Sequence, residues 1–353
     1  MRWLGCIAIA SCFCLASCGD SSPIRSAERW PEADLLFQRD PRWIGGDGAY
    51  SCDLGKDRVL WLFGDSLIAK DASRSREKSW FIRNSIAIQR GYDPTNAMIG
   101  FSWGTRDGHP GSFFPEDGSA WFWPGACMRT GKVLVIFGQW LVKSGAGQFG
   151  FHASGTAAFV VDNPDDEPAA WHAVDAHPPA QGDALILGTA GFATAEYIYA
   201  YGGIGPTHDY ALARFATADA QKADLSHGEF YTAGQWSAAT AVPSPIFANG
   251  APESSVYFEP KRSEYLMFQS EGFGATTLAV RSAPAPEGPW SAPHSFIRPP
   301  ESYEEGAFVY AGKAHPELAG ADAVVTYVPS RLEDDPRPSP DDYYYPHFVK
   351  VHF

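Results

Sequence analysis

The sequence predicts an all-β fold, a five-bladed β-propeller, and three observations support that expectation. Helical periodicity is nearly absent, while short β-branched and aromatic runs recur between clusters of Gly, Pro, Asn and Asp. Five such runs hold one place in a repeat of about 65 residues: RVLWLFGD (58–65), KVLVIFGQ (132–139), AEYIYAYGG (195–203), EYLMFQSE (264–271) and DAVVTYVPS (322–330). Each is preceded by a strand-like stretch, in order GAYSCDL, AWFWPGACM, LILGTAGFA, SSVYFEP and VYAGKAHPEL. Each is followed by an alternating one: FIRNSIAIQR, SGTAAFVVDN, DYALARFATAD, GATTLAVRSA and YYYPHFVKVHF. Three or four strands per unit, in one order five times over, is how propeller blades are written. The alternative is an irregular β-sandwich, which would not require that constant order. Residues 32–353 therefore read as a single propeller domain.

The segment before it reads as an export and anchoring signal. MRWLGCIAIASCFCLASC has one positive charge, Arg2, then an apolar run too short to span a bilayer, then Leu15-Ala16-Ser17-Cys18. That ending is a lipobox, so residues 1–17 are expected to be a signal peptide and Cys18 the lipidated residue, followed by a polar tether to Pro31. Several acyl chains on one cysteine anchor more firmly than a single chain does. The expected location is the bacterial cell envelope, with membrane contact only through Cys18 and the protein acting as a monomer. Cys6, Cys12 and Cys14 leave with the signal, so the folded part keeps Cys52 and Cys127. They occupy matching positions in neighbouring repeats, and an exported chain can join them.

Without Arg2 the chain carries 26 basic against 41 acidic residues. Such a balance disfavours nucleic acid and anionic lipid surfaces, which are recognised by basic patches. There is no glycine-rich phosphate loop, G-x-S-x-G elbow or HExxH, and the acidic run DNPDDEP (162–168) lacks calcium-loop spacing. No metal or cofactor is expected. The 14% aromatic content suits sugar stacking as well as a large core.

The chemistry points to GGDGAYSCDLGKDRVLWLFGDS (45–66). If Gly55-Lys56-Asp57 is a three-residue loop, Leu54 faces Arg58 and, further along, Asp47 faces Asp65. Opposed residues have Cβ atoms about 4.5–5.5 Å apart on one face. Two carboxyls that close titrate as a unit, one holding its proton to higher pH. Aligning LMF of the fourth unit on LWL of the first puts Glu253 on Asp47 and Glu271 on Asp65. The second unit has Gln139 at the Asp65 position and no acid in AWFWPGACM, so the acids are not a demand of every blade. In a ring of five, the first and fourth blades are not neighbours, and Asp47 and Glu253 are expected to approach across the channel. Glu271 reads as a solvated or structural acid. Two carboxylates on opposite sides of a site are what glycosidic hydrolysis needs.

These stretches, with RNSIAI, KAHPEL and the GPW of 288–290, resemble the five-bladed β-propeller glycosidases, the arabinanase, invertase and levansucrase-like superfamily. Within it they are similar to a bacterial family of exported propellers with relatives that degrade arabinan-type furanosides. The resemblance covers nearly all of the chain after the tether. It implies an acidic nucleophile or base on the first inner strand, matched by Asp47, and a general-acid glutamate on a later blade, matched by Glu253. It also implies a third aspartate on a middle blade. There the match is poor, with only Asp209 beside His208 in GPTHDYALAR, unless Asp65 takes that part.

Other candidates for substrate contact are Arg83 and Asn84 at a blade top, His315 in KAHPEL, and Trp43, with Trp80 also near the end of blade 1. Each has an ordinary structural reading as well: loop fixing for Arg83 and Asn84, packing for His315 and the tryptophans. The expectation is a glycoside hydrolase acting on a furanose-containing or related neutral glycan. A non-catalytic glycan-binding lipoprotein on the same scaffold is the alternative.

Overall fold

Alternation in each repeat builds an antiparallel sheet, and the seams between sheets bury the apolar faces. The computed structural model describes residues 22–353 except 180, 206–207, 241–242, 273–275 and 333–340. Cys18 and the signal segment lie outside the described residues. Blade 1 has Tyr50–Gly55, Arg58–Phe63, Ser85–Arg90 and Met98–Ser102 in spatial order. Blades 2, 3 and 4 begin with Ala120–Thr130, Leu185–Ala193 and Ser254–Glu259 and meander outward in the same way. Blade 5 runs Ala307–Ala314, Ala323–Arg331, His347–His352 and then Ser26–Arg29. Residues from all five first strands line one cavity, so those strands surround the axis.

The hydrophobic clusters establish the ring. Leu60 and Ile86 of blade 1 pack on Leu134 and Ile136 of blade 2. Val135 and Phe137 then meet Leu187 and Ile198 of blade 3. Tyr201 and Leu212 meet Val256 and Met267 of blade 4, and Leu266 and Phe268 meet Val309 and Val325 of blade 5. The last cluster joins Val324 and Phe348 of blade 5 to Trp61 and Phe63 of blade 1. Blade 5 thus stands between blades 1 and 4. Cys52 and Cys127, which the sequence left open to bridging, are joined, with Cα atoms 5.8 Å apart, and tie the inner strands of blades 1 and 2.

Two local expectations need correction. The tether does not extend to Pro31. Ser26–Arg29 pairs with Val349–His352 and closes blade 5 with the two ends of the described chain. SAER carries no strand pattern of its own, and the ladder of its partner makes it a strand. The loop of the first hairpin is also different. Gly55 faces Arg58 across a two-residue turn, with Lys56 and Asp57 at φ 55° and 62°, and a bulge follows between Asp53 and Gly55. A short turn plus one bulged residue shifts the pairing as much as a three-residue loop, so Tyr50 still faces Leu62 and Gly46 still faces Ser66.

Bulges recur in the inner strands, between Pro124 and Cys127, Leu187 and Ala190, and Tyr310 and Lys313. A bulge re-aims side chains that strict alternation would place on opposite faces. In blade 5 the inserted residue is Ala311, at φ 60°. It lets both Tyr310 and Lys313 reach acids of the site.

Candidate active site

Beyond the sheet of blade 1, its hairpin continues into a small sheet of Trp43–Gly46, Ser66–Ala69 and Ser79–Ile82. Asp47 and Asp65 stand at the break between the two sheets, opposite each other. The Asp47 N–H donates to Asp65 O at 3.3 Å, and the Gly64 N–H donates to Asp47 O at 3.0 Å. Gly64 is required here, because a Cβ would lie 2.5 Å from Asp47 Oδ1. Glu253 comes immediately before the inner strand of blade 4. All three acids line one cavity of about 820 Å³ together with Arg76, Arg83, Trp123 and Tyr310.

Asp47 Oδ2 accepts hydrogen bonds from the hydroxyls of Tyr310 (2.9 Å) and Tyr344 (3.3 Å). Burial, and then the charges of Asp65 and Glu253, push the Asp47 carboxyl well above the ordinary range, while the Tyr310 hydroxyl and Lys313 act the other way. Asp65 accepts from Trp123 Nε1 at 3.0 Å and pairs with Arg83 at 3.3 Å. Burial lifts its carboxyl to about 6, with Arg83 and Trp123 holding it down. Glu253 Oε2 meets the ammonium of Lys313 at 3.1 Å. Tyr210 fixes the backbone around Glu253, its hydroxyl bonding Ala251 O at 2.7 Å and Ser254 Oγ at 2.7 Å.

The cavity collects Asp47, Asp65, Glu253 and Arg83 and leaves the other candidates outside. Trp43 is fully buried, stacked on Phe101, with Nε1 bonded to Ser85 Oγ at 3.1 Å. Asn84 is also fully buried and serves the backbone, donating to Phe122 O at 2.9 Å and accepting from the Phe114 N–H at 2.7 Å. His208 and Asp209 hold the segment that leads to Glu253, through the Gly250 N–H to His208 O (2.9 Å) and the Asn249 N–H to Asp209 Oδ1 (3.1 Å). They act on the site through the chain. His315 lines a second cavity, of about 640 Å³, formed by the far ends of the inner strands. It is 1% exposed, bonded through Nδ1 to Ser51 Oγ at 2.6 Å and through Nε2 to Thr326 Oγ1 at 2.7 Å. Trp80 stacks on His109 instead of facing the cavity.

The fourth blade does not repeat the Asp47–Asp65 pair. Ser254 faces Gln269, which sets Glu253 across from Ser270 and Glu271 one residue beyond. Its hairpin turns over Pro260–Ser263 without the bulge of blade 1, and a one-residue slip reverses the face. Glu271 instead accepts a hydrogen bond from Gln269. Among the described residues no group of three or more His, Cys, Asp or Glu side chains is placed to hold a metal ion. Sequence reasoning missed Tyr310, Tyr344, Trp123 and Lys313. The signal for Lys313 was its place in KAHPEL, two residues before the histidine that drew attention.

Residues 32–352 match a family described as a domain of unknown function, DUF5005. The chain belongs to that family. No curated protein matches it. Among solved structures, this DUF5005 chain is similar to a Bacteroides ovatus protein proposed to be a hydrolase, with TM-score 0.71 and 20% identity over 92% of this chain and 90% of that one. It is also similar to a xylan β-1,4-xylosidase of Bacillus halodurans, with TM-score 0.52 and 12% identity over 88% of this chain and 54% of that one. A third is a family 117 glycoside hydrolase of the marine bacterium Zobellia galactanivorans, with TM-score 0.50 and 10% identity over 92% and 90%. At these identities the likeness is one of fold, and the fold is the β-propeller.

Proposed function

We propose that the protein is a glycoside hydrolase of the bacterial cell envelope, lipid-anchored through Cys18, that cleaves a furanose-containing or related neutral glycan. The observation that carries the reading is the convergence of Asp47 and Glu253, from two blades that are not neighbours, on one cavity. The fold shared with a xylosidase and a family 117 hydrolase supports it.

Asp47 is the nucleophile or base. The environment that raises its proton affinity makes it a strong acceptor once it is ionised, and the two tyrosine hydroxyls fix Oδ2 so that Oδ1 is left for a water or the anomeric carbon. Asp65, beside it, modulates its charge. Glu253, on the other side, protonates the leaving oxygen. If Asp47 attacks directly, the first product keeps its anomeric configuration; if it activates water, the configuration inverts. NMR of the first product distinguishes the two.

The test is a product assay on arabinans, fructans and other plant and bacterial glycans, with wild type, Asp47→Asn and Glu253→Gln. Turnover by wild type that is lost in both variants while binding persists is the expected result. A second reading, glycan binding without turnover, draws on the aromatic lining and on the lack of any acid from blade 3 among the described lining residues. Binding by a wild type that releases no product would select it.

A further inference from the structure

The two cavities share a wall. Tyr50 lines both, and Lys313 lines the far one while its Nζ meets Glu253 in the near one at 3.1 Å. The Lys313 side chain is 1% exposed and its ammonium lies 4.3 Å from the centre of the Tyr50 ring. A general acid next to a buried ammonium is unusual, because the ion pair as a whole, not the carboxyl alone, holds the transferable proton.

We propose that Lys313 supplies the proton that Glu253 delivers to the leaving oxygen, and that Lys313 is recharged through the far cavity, behind the substrate. The inference rests on the glycosidase reading of the site. As the glycosidic bond lengthens, one N–H bond of Lys313 breaks and an O–H bond forms on Glu253. Glu253 passes a proton to the departing oxygen and returns to carboxylate, leaving Lys313 as the neutral amine. Where Asp47 is the base, it meanwhile takes the proton of the attacking water and later returns it to solvent; where Asp47 is the nucleophile, the Glu253 carboxylate takes the water's proton in the second step and releases it to solvent. In either course Lys313 regains its proton from water in the far cavity, so protons balance over one turnover.

The surroundings of Lys313 suit release. Glu253 faces it from blade 4, Asp47 and Tyr50 from blade 1, and His315 stands two residues along the chain, just past the end of its strand. Burial lowers the proton affinity of Lys313, opposed by Glu253 and Asp47. His315 is held neutral by burial and by Lys313, so no second cation competes for Glu253. On the far side Ser51 hydrogen-bonds both His315 and Glu317. Burial lifts the Glu317 carboxyl to about 7, where it exchanges protons near neutrality. Those three groups do not form a nucleophilic triad. The carboxylate bonds the serine, and the far nitrogen of His315 meets the Thr326 hydroxyl instead of an acid.

The experiment measures kcat/KM on aryl α-L-arabinofuranosides whose leaving groups run from dinitrophenol to unsubstituted phenol, for wild type, Lys313→Met and Lys313→Arg. A dinitrophenolate departs without a proton and serves as the control for folding and for the Asp47 step. Because Lys313 also holds down the proton affinity of Asp47, rates are compared above the acid limb of each variant. There Lys313→Met is expected to lose about 10²–10⁴-fold on the phenyl glycoside and to stay within about threefold on the dinitrophenyl one. Lys313→Arg keeps the ion pair but does not release a proton, so it is expected to be slow on the phenyl glycoside too. Rescue by arginine overturns proton supply in favour of simple charge pairing. An equal loss across the series, or no loss, overturns it as well. A wild type that hydrolyses none of the series, nor any glycan of the wider panel, overturns the glycosidase reading itself.

Discussion

Blades 1 and 4 each set an acid just ahead of the inner strand, and the protein treats the two acids differently. Asp47 sits among other carboxyls and is held by neutral donors, the hydroxyls of Tyr310 and Tyr344. Glu253 is held by a cation, Lys313. The intervening blade 5 supplies one partner to each acid from a single bulged strand. The difference teaches that position in the repeat fixes where an acid lies, while the neighbouring blade chooses its partners. The proposed base, Asp47, is thus the carboxyl with the raised proton affinity, and the proposed acid, Glu253, lies beside a cation, so the acid role depends on the proton that Lys313 is proposed to supply.

The comparison breaks most visibly in turnover. Asp47→Asn is expected to reduce kcat/KM by about 10³-fold or more for every leaving group, because the attacking step is lost. Glu253→Gln is expected to cost about 10²–10⁴-fold for poor leaving groups and little for dinitrophenolate. Identical dependence on the leaving group in both variants, measured on one aryl series, would erase the distinction.

A second difference concerns stability. Asp65 binds its proton more tightly folded, at about 6, than its ordinary 3.8. The folded state therefore holds more protons between those values, and stability falls as pH rises through that window. Asp65→Asn removes this penalty. It is expected to stabilise the fold at pH 8 by on the order of 1 kcal/mol after the lost Arg83 pair is counted, seen as a higher melting temperature, and to give no gain at pH 4. Glu253→Gln has the opposite sign at pH 8, since it leaves the buried ammonium of Lys313 unpaired at a cost of roughly 1–3 kcal/mol. Calorimetry of both variants at the two pH values tests the contrast.

Much of this was legible before any coordinates. The blades follow from alternation and turn residues, and the facing of Asp47 and Asp65 follows from register, which survived an error in the loop. What stayed hidden depended on departures from period two. Strict alternation puts Tyr310 and Lys313 on opposite faces, so only the bulge at Ala311 reveals their shared purpose. Tyr344 sits outside the strands and reaches Asp47 by tertiary approach. Trp43 and Asn84 misled for a related reason. Trp43 lies just before Asp47 and Asn84 just after Arg83, but each points into the core, where its polar atoms are satisfied by Ser85 or by backbone. Ser26–Arg29 is a strand only because ring closure offers it a partner.

Removing the donor to Asp47 gives a smaller and more specific effect. The Tyr310 hydroxyl favours the charged carboxylate, so Tyr310→Phe raises the proton affinity of Asp47 further. An ionised base is then available only at higher pH. The acid limb of kcat/KM is expected to move up by about one pH unit, roughly the worth of one such bond, while activity well above the limb is nearly retained. A limb that stays in place would mean that Asp47 is not the group it reports.

The smallest expected effect falls on the Glu253 side, at Tyr210. Its hydroxyl bonds the residues two before and one after the acid, Ala251 and Ser254, so Tyr210→Phe loosens the backbone that carries Glu253 without touching the carboxyl. The lost bond is expected to cost about 1 kcal/mol of stability. Turnover should fall by about two- to fivefold, and only for leaving groups that need a proton, because the attacking side is anchored on blades 1 and 5. The acid limb set by Asp47 should not move. If Tyr210→Phe shifted that limb, the two acids would be coupled through the backbone of blade 4, and their assignment to two independent roles would no longer hold.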